Sequence, residues 1–221
     1  MKNFLILFAL LAGCVAFEGK NIIIFPKQTA TDHVILTPTL VKPLDQFTIC
    51  LRSYTDLTQE HAIISIALPG TGNYNAFIIY PKPPNSYYIF INQEEVIFKV
   101  DSGVVEWKNT CVTWDSETGL VQLWINGKRY PRKGTKTGSP IGPRMSVVLG
   151  QEQDSFGGGF DAKQSFQGEI YDVHMWDYVL PSNTLSIFCY SDLSGNIFDW
   201  KNGTQVRKGG VITKVYDITN A

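Results

Sequence analysis

The chain has 221 residues, with 19 Lys and Arg against 20 Asp and Glu, a formal net charge of −1 and 44% hydrophobic residues. So balanced a composition offers no basic patch to draw nucleic acid and no basic amphipathic helix to lie on a bilayer. Beyond the N-terminus, no apolar run approaches the roughly 20 residues that a membrane span requires.

Residues 1–16 read as a secretory signal: Lys2 supplies the positive start, Phe4 to Ala12 a short apolar run, and Cys14, Val15 and Ala16 the residues before a cut. The remaining residues, 17–221, carry no linker or charge run that marks a boundary, and are expected to form one domain. Leu11-Ala-Gly-Cys14 also matches a lipoprotein cleavage pattern, so a lipid anchor on Cys14 competes with simple export at this stage. From there the pattern is one of short β-type runs broken by turn residues. They fall at 63–66, 77–80, 87–91, 96–98, 121–125, 146–149 and 211–213. Asn126-Gly127 predicts a two-residue hairpin, and residues 81–85, rich in proline, predict a loop. With 19 Gly and 11 Pro, these runs argue for an all-β antiparallel sandwich or jelly roll. One helix is expected over 182–190, with Ser182 as its N-cap.

Cys50 and Cys111 each lie inside an apolar β-type run, as a buried inter-strand disulfide in an exported protein would. Cys189 is left over, either as a buried free thiol or as an interchain link. Asn202-Gly-Thr204 is a glycosylation acceptor in a polar turn. His33, His61 and His174 stand in no nucleophile motif and read as surface or satisfied strand histidines.

The densest chemistry lies in residues 150–164, which crowd Glu152, Asp154 and Asp161 among carboxamides around three consecutive glycines. Calcium takes six to eight oxygens from such groups in forgiving geometry, although the spacing is not that of an EF-hand. In an extended segment Glu152 and Asp154 would face the same way, and the glycines would fold Asp161 and Gln164 back towards them.

These pieces together resemble the pentraxin family. The resemblance runs over essentially the whole mature sequence. Its most specific parts are the LGQEQDSFGG run from Leu149, FTICL from Phe47, CVTWDS from Cys111, WING from Trp124 and MWDYVLP from Met175. It implies a two-sheet jelly roll of legume-lectin type with one helix, a Cys50–Cys111 disulfide, a disc-like pentamer and secretion in an animal, which demotes the lipid anchor. In one departure, Asn109 stands where the family keeps a histidine two residues before the second cysteine.

The resemblance also implies two calcium ions. Glu152 and Asp154 would be shared by both, the Gln153 backbone carbonyl would serve the first, and Asp161 with Gln164 the second. A distant Asp-Asn pair completes the family's first site; here it is Tyr74-Asn75. Asn75 keeps an oxygen donor, whereas Tyr74 removes a negative charge, leaving three carboxylates for two divalent ions. Open positions on the ions would receive phosphate-bearing or carbohydrate ligands. Tyr80 would flank them as an aromatic wall, and Glu95 would meet the cationic end of a choline or ethanolamine group. Phe90 narrows the pocket, favouring phosphoethanolamine or carbohydrate over phosphocholine. Complement components or Fc receptors would be partners.

Two other function classes stand beside this reading. A jelly-roll glycosidase needs paired carboxylates about 5 Å apart on alternate strand positions, but after Glu152 and Asp154 the next such position is Phe156, so no catalysis is expected. A structural or interaction protein with a partly decayed metal site is the alternative that Tyr74 favours.

Overall fold

A computed structural model describes residues 21–103, 105–188 and 191–215. Residues 1–16, expected as a secretory signal, and Cys189 lie outside the described residues. Two antiparallel sheets face one another. The first runs β10 (Lys128–Arg129), β9 (Leu120–Ile125), β8 (Lys108–Asp115), β3 (Gln46–Tyr54), β13 (Gly168–Trp176), β1 (Asn21–Phe25) and β15 (Ile212–Val215), with β11 (Lys133–Gly134) also on β9. The second runs β14 (Thr204–Lys208), β2 (His33–Thr37), β12 (Ser146–Leu149), β4 (Ile64–Ala67), β5 (Phe77–Lys82), β6 (Ser86–Ile91) and β7 (Glu94–Lys99).

Strand alternation puts one set of side chains from each sheet into a shared interior. Ile49, Leu51 and Val112 of the first sheet, and Ile64, Phe77 and Ile89 of the second, are fully buried there. Asn126 and Gly127 both take positive φ, 49° and 75°, and close the β9–β10 hairpin as their sequence predicts. The proline loop is shorter than expected. Pro81 and Lys82 remain in β5 opposite Tyr87 and Ser86, because this end of the strand needs no donor where proline lacks one.

The outer face of the first sheet carries a second apolar cluster of Cys50, Cys111, Trp124, Trp176, Leu185 and Phe188, roofed by α1 (Ser182–Ser186). The expected helix is thus cut to little more than one turn. Its cap is Pro181, with no side-chain cap bond, so Ser182 opens the helix rather than capping it. The Cys50–Cys111 disulfide is present between directly opposed residues of β3 and β8.

The histidines divide by environment. His174 is a satisfied strand histidine, 3.2 Å from Asp172 and 3.3 Å from Asp199, and Asp172 also pairs with Arg52 at 3.0 Å. His61 departs from the expectation. It is 2% exposed, its Nδ1 lies 2.9 Å from the Gln59 carbonyl, and its Nε2 has no hydrogen-bond partner. Burial, aided by the Lys108 charge, pushes this imidazole down to about 4. In the unfolded chain it titrates near the ordinary value of about 6.5, so the unfolded state binds the extra proton first. Stability from this group is therefore complete above pH 6.5 and drains away as pH falls towards 4. The melting temperature of the parent, followed across that window, should drop more steeply than that of His61→Gln.

Candidate functional site

The site begins where β12 ends. Gly150 has φ +84°, and a Cβ there would lie 2.4 Å from the Phe25 ring, so only glycine turns the chain at this place. Its N–H donates to the Ile63 carbonyl and its carbonyl accepts from the Phe166 N–H, tying both ends of the 150–166 segment to one point.

Two buried glutamines then brace the loop from within. Gln151 donates its side-chain amide to the carbonyls of Thr29 and Asp32, and the Ser65 hydroxyl donates to the Gln151 carbonyl at 2.7 Å. Gln153 donates to the carbonyls of Ser65 and Ser146 at 3.1 and 3.2 Å, and its side-chain oxygen accepts from the Gly157 N–H at 2.9 Å. With its side chain engaged inward, Gln153 retains only its backbone carbonyl for outside work. The sequence reading named that carbonyl but missed Gln151, Ser65 and Ser146 as supports. The available signal was a pair of carboxamides next to an apolar strand, where water could not satisfy them.

Ser155 and Gly158 exchange two backbone hydrogen bonds of 3.1 Å, and Gly159, at φ +76°, packs so tightly on Asp154 that a Cβ would approach within 2.8 Å of the Asp154 Cβ. The glycines therefore fold the chain back as their composition suggests. Because residues 151–159 form braces and a tight turn rather than a strand, Glu152 and Asp154 do not share one exposed face. Glu152 is 7% exposed, whereas Asp154 is exposed. The two still interact, since burial and then the Asp154 charge push the Glu152 carboxyl up to about 7. Glu152 Oε2 is buried without a hydrogen-bond partner.

Asp161 is exposed, and one of its carboxylate oxygens accepts from the Lys163 N–H at 2.9 Å, capping the short turn Ala162–Gln164. Gln164 is anchored through its carbonyl to the Ala62 N–H. Its side chain and that of Glu60 stand near enough to the Tyr80 hydroxyl to influence its ionisation. Tyr80 is 5% exposed, and burial, with the Glu60 and Glu152 charges, holds its phenol far above the ordinary range.

Tyr80 opposes Tyr88 across β5 and β6, and Phe90 opposes Ile78 on one side and Glu95 on the other. Period-2 alternation sets Tyr80, Phe90 and Glu95 on one outer face of the second sheet. Tyr80 and Phe90 meet edge to face at 6.4 Å, Phe90 is half-buried, and Glu95 is exposed on the edge strand. Lys82 lies 4.0 Å from the Tyr88 ring centre and 3.1 Å from Glu60, a cation that the sequence reading did not place here.

Tyr74 and Asn75 precede β5, at the end of the sheet where β12 begins and where Ser146 holds Gln153. The Asn75 carbonyl accepts from the Gln93 N–H, the Asn75 N–H donates to the Gln93 side-chain oxygen, and Asn75 Oδ1 is buried without a partner. Among the described residues no three His, Cys, Asp or Glu gather into a ready-made metal cluster. The oxygens available here come instead from carboxylates mixed with amide carbonyls.

Comparison with known proteins decides the family. The pentaxin family model matches residues 21–215. The chain belongs to the pentraxin family. It is 51% identical to jeltraxin of Lepidobatrachus laevis, covering 96% of each chain. It is 49% identical to C-reactive protein of Xenopus laevis, over 97% of this chain and 92% of that one. Among solved structures, the heptameric SAP-like pentraxin of Limulus polyphemus superposes with a TM-score of 0.78 at 25% identity, covering 91% of this chain and 97% of that one. A recognition protein rather than an enzyme follows from this membership.

Within this pentraxin, Asn109 is buried beside β3 opposite Arg52, its N–H accepted by the Asn126 side chain at 2.8 Å. It stands on the first sheet, away from the loop that carries Glu152. One observation above all suits a hard cation: two of the oxygens that the sequence assigns to it, on Glu152 and Asn75, are buried and unpaired. Buried oxygens without donors are costly, and a divalent ion meets that need.

Proposed function

We propose that this pentraxin is a secreted, calcium-dependent recognition protein that captures phosphate-bearing or carbohydrate ligands on microbial or damaged-cell surfaces. The carrying observation is the buried, unpartnered Glu152 Oε2 beside Asp154. Glu152, Asp154, Asp161, the Gln153 carbonyl and the side-chain oxygens of Gln164 and Asn75 would hold up to two calcium ions. When bound, the ions supply open coordination positions for ligand oxygens. Around them the chain's residues shape the ligand: Tyr80 and Phe90 form an apolar wall, and Glu95 stands directly opposite Phe90 on the neighbouring edge strand. The half-buried Phe90 leaves little depth for a trimethylammonium group, which favours phosphoethanolamine or carbohydrate over phosphocholine. The described residues contain no helix long and apolar enough to cross a membrane.

We further propose a ring of subunits, a pentamer, with all sites on one face. Five weak sites facing a repeating target raise avidity by roughly a hundredfold or more without any new contact. Complement components or Fc receptors are the partners such a ring would engage. Asn202 is exposed in a turn and suits an attached glycan, although its amide donates to Asp199 at 2.7 Å.

Retention on phosphoethanolamine resin in calcium, with release by chelator, tests this function; equal retention with chelator present would defeat it. A second reading, a structural protein whose metal site has partly decayed, draws on the half-buried Tyr74. The same residue yields a sharper prediction. Tyr74→Asp restores a fourth carboxylate, and should lower the calcium concentration needed for half-maximal thermal stabilisation by about tenfold.

A further inference from the structure

A charged pair stands on the outer face of the second sheet, beside the aromatic wall and unused by it. Lys82 Nζ lies 3.1 Å from Glu60 Oε2, and the two side chains are 32% and 48% exposed. Period-2 alternation sets Lys82 on the same face as Tyr80, and Tyr88 stands directly opposite Tyr80 on β6. The Lys82 ammonium sits 4.0 Å from the Tyr88 ring centre and 5.6 Å from that of Tyr80. Two rings and a carboxylate thus fix a side chain that is otherwise free to turn about its four-carbon stem.

Glu60 is held through its neighbours in the chain. The Gln59 side-chain amide reaches the Lys163 carbonyl at 3.4 Å, the His61 N–H donates to the Pro81 carbonyl at 3.2 Å, and the Ala62 N–H donates to the Gln164 carbonyl at 2.9 Å. The pair is therefore laced between the end of β5 and the turn that carries Gln164. Glu60, Glu152 and Gln164 all bear on the Tyr80 hydroxyl, so the pair and the calcium donors border one phenol.

Charge decides what such a pair selects. A ligand tail with a single ammonium is attracted by Glu60 and repelled by Lys82 next to it, and a tail with a single carboxylate meets the reverse. A tail that carries both finds a partner for each and closes a square of four alternating charges. The Lys82 ammonium has three donors, of which Glu60 engages one, so it can serve a second carboxylate without leaving the first.

We propose, on the calcium-dependent reading above, that the Lys82–Glu60 pair selects a phosphate ester with a zwitterionic α-amino acid tail, as in phosphoserine, its carboxylate on Lys82 and its ammonium on Glu60. The phosphate goes to the calcium positions. A phosphoserine inside a peptide has lost both tail charges to peptide bonds, which confines the ligand to the free ester or a serine phospholipid headgroup.

Calorimetric titration of the whole protein in calcium compares O-phosphoserine, its methyl ester, N-acetyl-O-phosphoserine, phosphoethanolamine and ethyl phosphate. O-Phosphoserine should bind about tenfold more tightly than phosphoethanolamine, the worth of two part-exposed charge pairs, and both blocked derivatives should lose that advantage. Lys82→Met, which keeps an apolar stem on Tyr88, should erase the preference for O-phosphoserine over its methyl ester, and Glu60→Gln the preference over the N-acetyl form. Ethyl phosphate, which has no charged tail, should bind the parent and both variants alike. Sedimentation with phosphatidylcholine vesicles, with and without phosphatidylserine, names the source: capture by the serine lipid assigns a headgroup, and binding of free O-phosphoserine without capture assigns the free ester. The proposal is overturned if O-phosphoserine binds no more tightly than phosphoethanolamine in the unmodified protein, or if its preferences survive in both variants. Ethyl phosphate that still binds in calcium and is released by chelator would then leave the calcium-dependent reading standing, whereas binding of no probe in calcium would overturn both.

Discussion

Replacing Glu152 by glutamine should abolish the calcium-dependent gain in melting temperature while leaving the metal-free protein more stable than its parent. The two effects have one cause. Glu152 is buried, its Oε2 has no donor, and Asp154 adds like-charge repulsion, so its carboxyl is pushed up to about 7. At pH 8 the folded protein therefore carries a charge it would rather neutralise. Glutamine has the same shape without that charge, and should return about 1–2 kcal/mol to the metal-free form once solvent screening is allowed for. Calcium affinity should fall by roughly a hundredfold or more, because the shared anionic ligand is gone. Melting curves of both proteins, in chelator and across a calcium series, read both quantities. An unchanged calcium response would remove Glu152 from the site. A metal-free form that is less stable would show that the carboxylate is held by partners and not strained by burial.

Most of the sandwich was legible because its strands carry strong local signals. Val121 to Ile125 alternates towards the core and runs into Asn126-Gly127, and the observed β9 and hairpin follow from those residues. The helix was less so. Leu185 and Phe188 pack on Trp176 and the disulfide, yet propensity over 182–190 could not show that one turn suffices to bury them. At the candidate site, the glycine fold-back was readable from residues 157–159. The different exposures of Glu152 and Asp154 were not, because strand alternation fails where Gln151 and Gln153 pull the backbone inward through Ser65 and Ser146. The Ser65 braces depend on a partner 86 and 88 residues away in the chain. The same limit explains His61. Its local sequence offers no clue that Phe166 packs on its ring or that Lys108 stands near it.

Removing the Cys50–Cys111 bridge by the paired Cys→Ala change should cost about 4 kcal/mol while sparing calcium-dependent retention. The bond closes a loop with a sequence separation of 61, and in the chain-entropy model a loop of that size contributes about 4 kcal/mol by restricting the unfolded state. In the native state the strands need little help, since β3 and β8 pair over eight residues from Gln46–Asp115 to Ser53–Lys108. What the folded protein does lose is packing: both sulfurs lie under Trp124, Trp176 and Phe188, so amide exchange should quicken first in α1 and along the outer face of the first sheet. The loop bearing Glu152 and Gln164 is held from the second sheet and from β2, through Ser65, Ser146 and the ring contact of Phe160 with His33. Its amides should keep their protection in the double variant, and binding to phosphoethanolamine resin in calcium should persist below the lowered melting temperature. If binding and stability fell together at a temperature where circular dichroism still shows folded protein, the two faces of the sandwich would be coupled through the core and not independently supported.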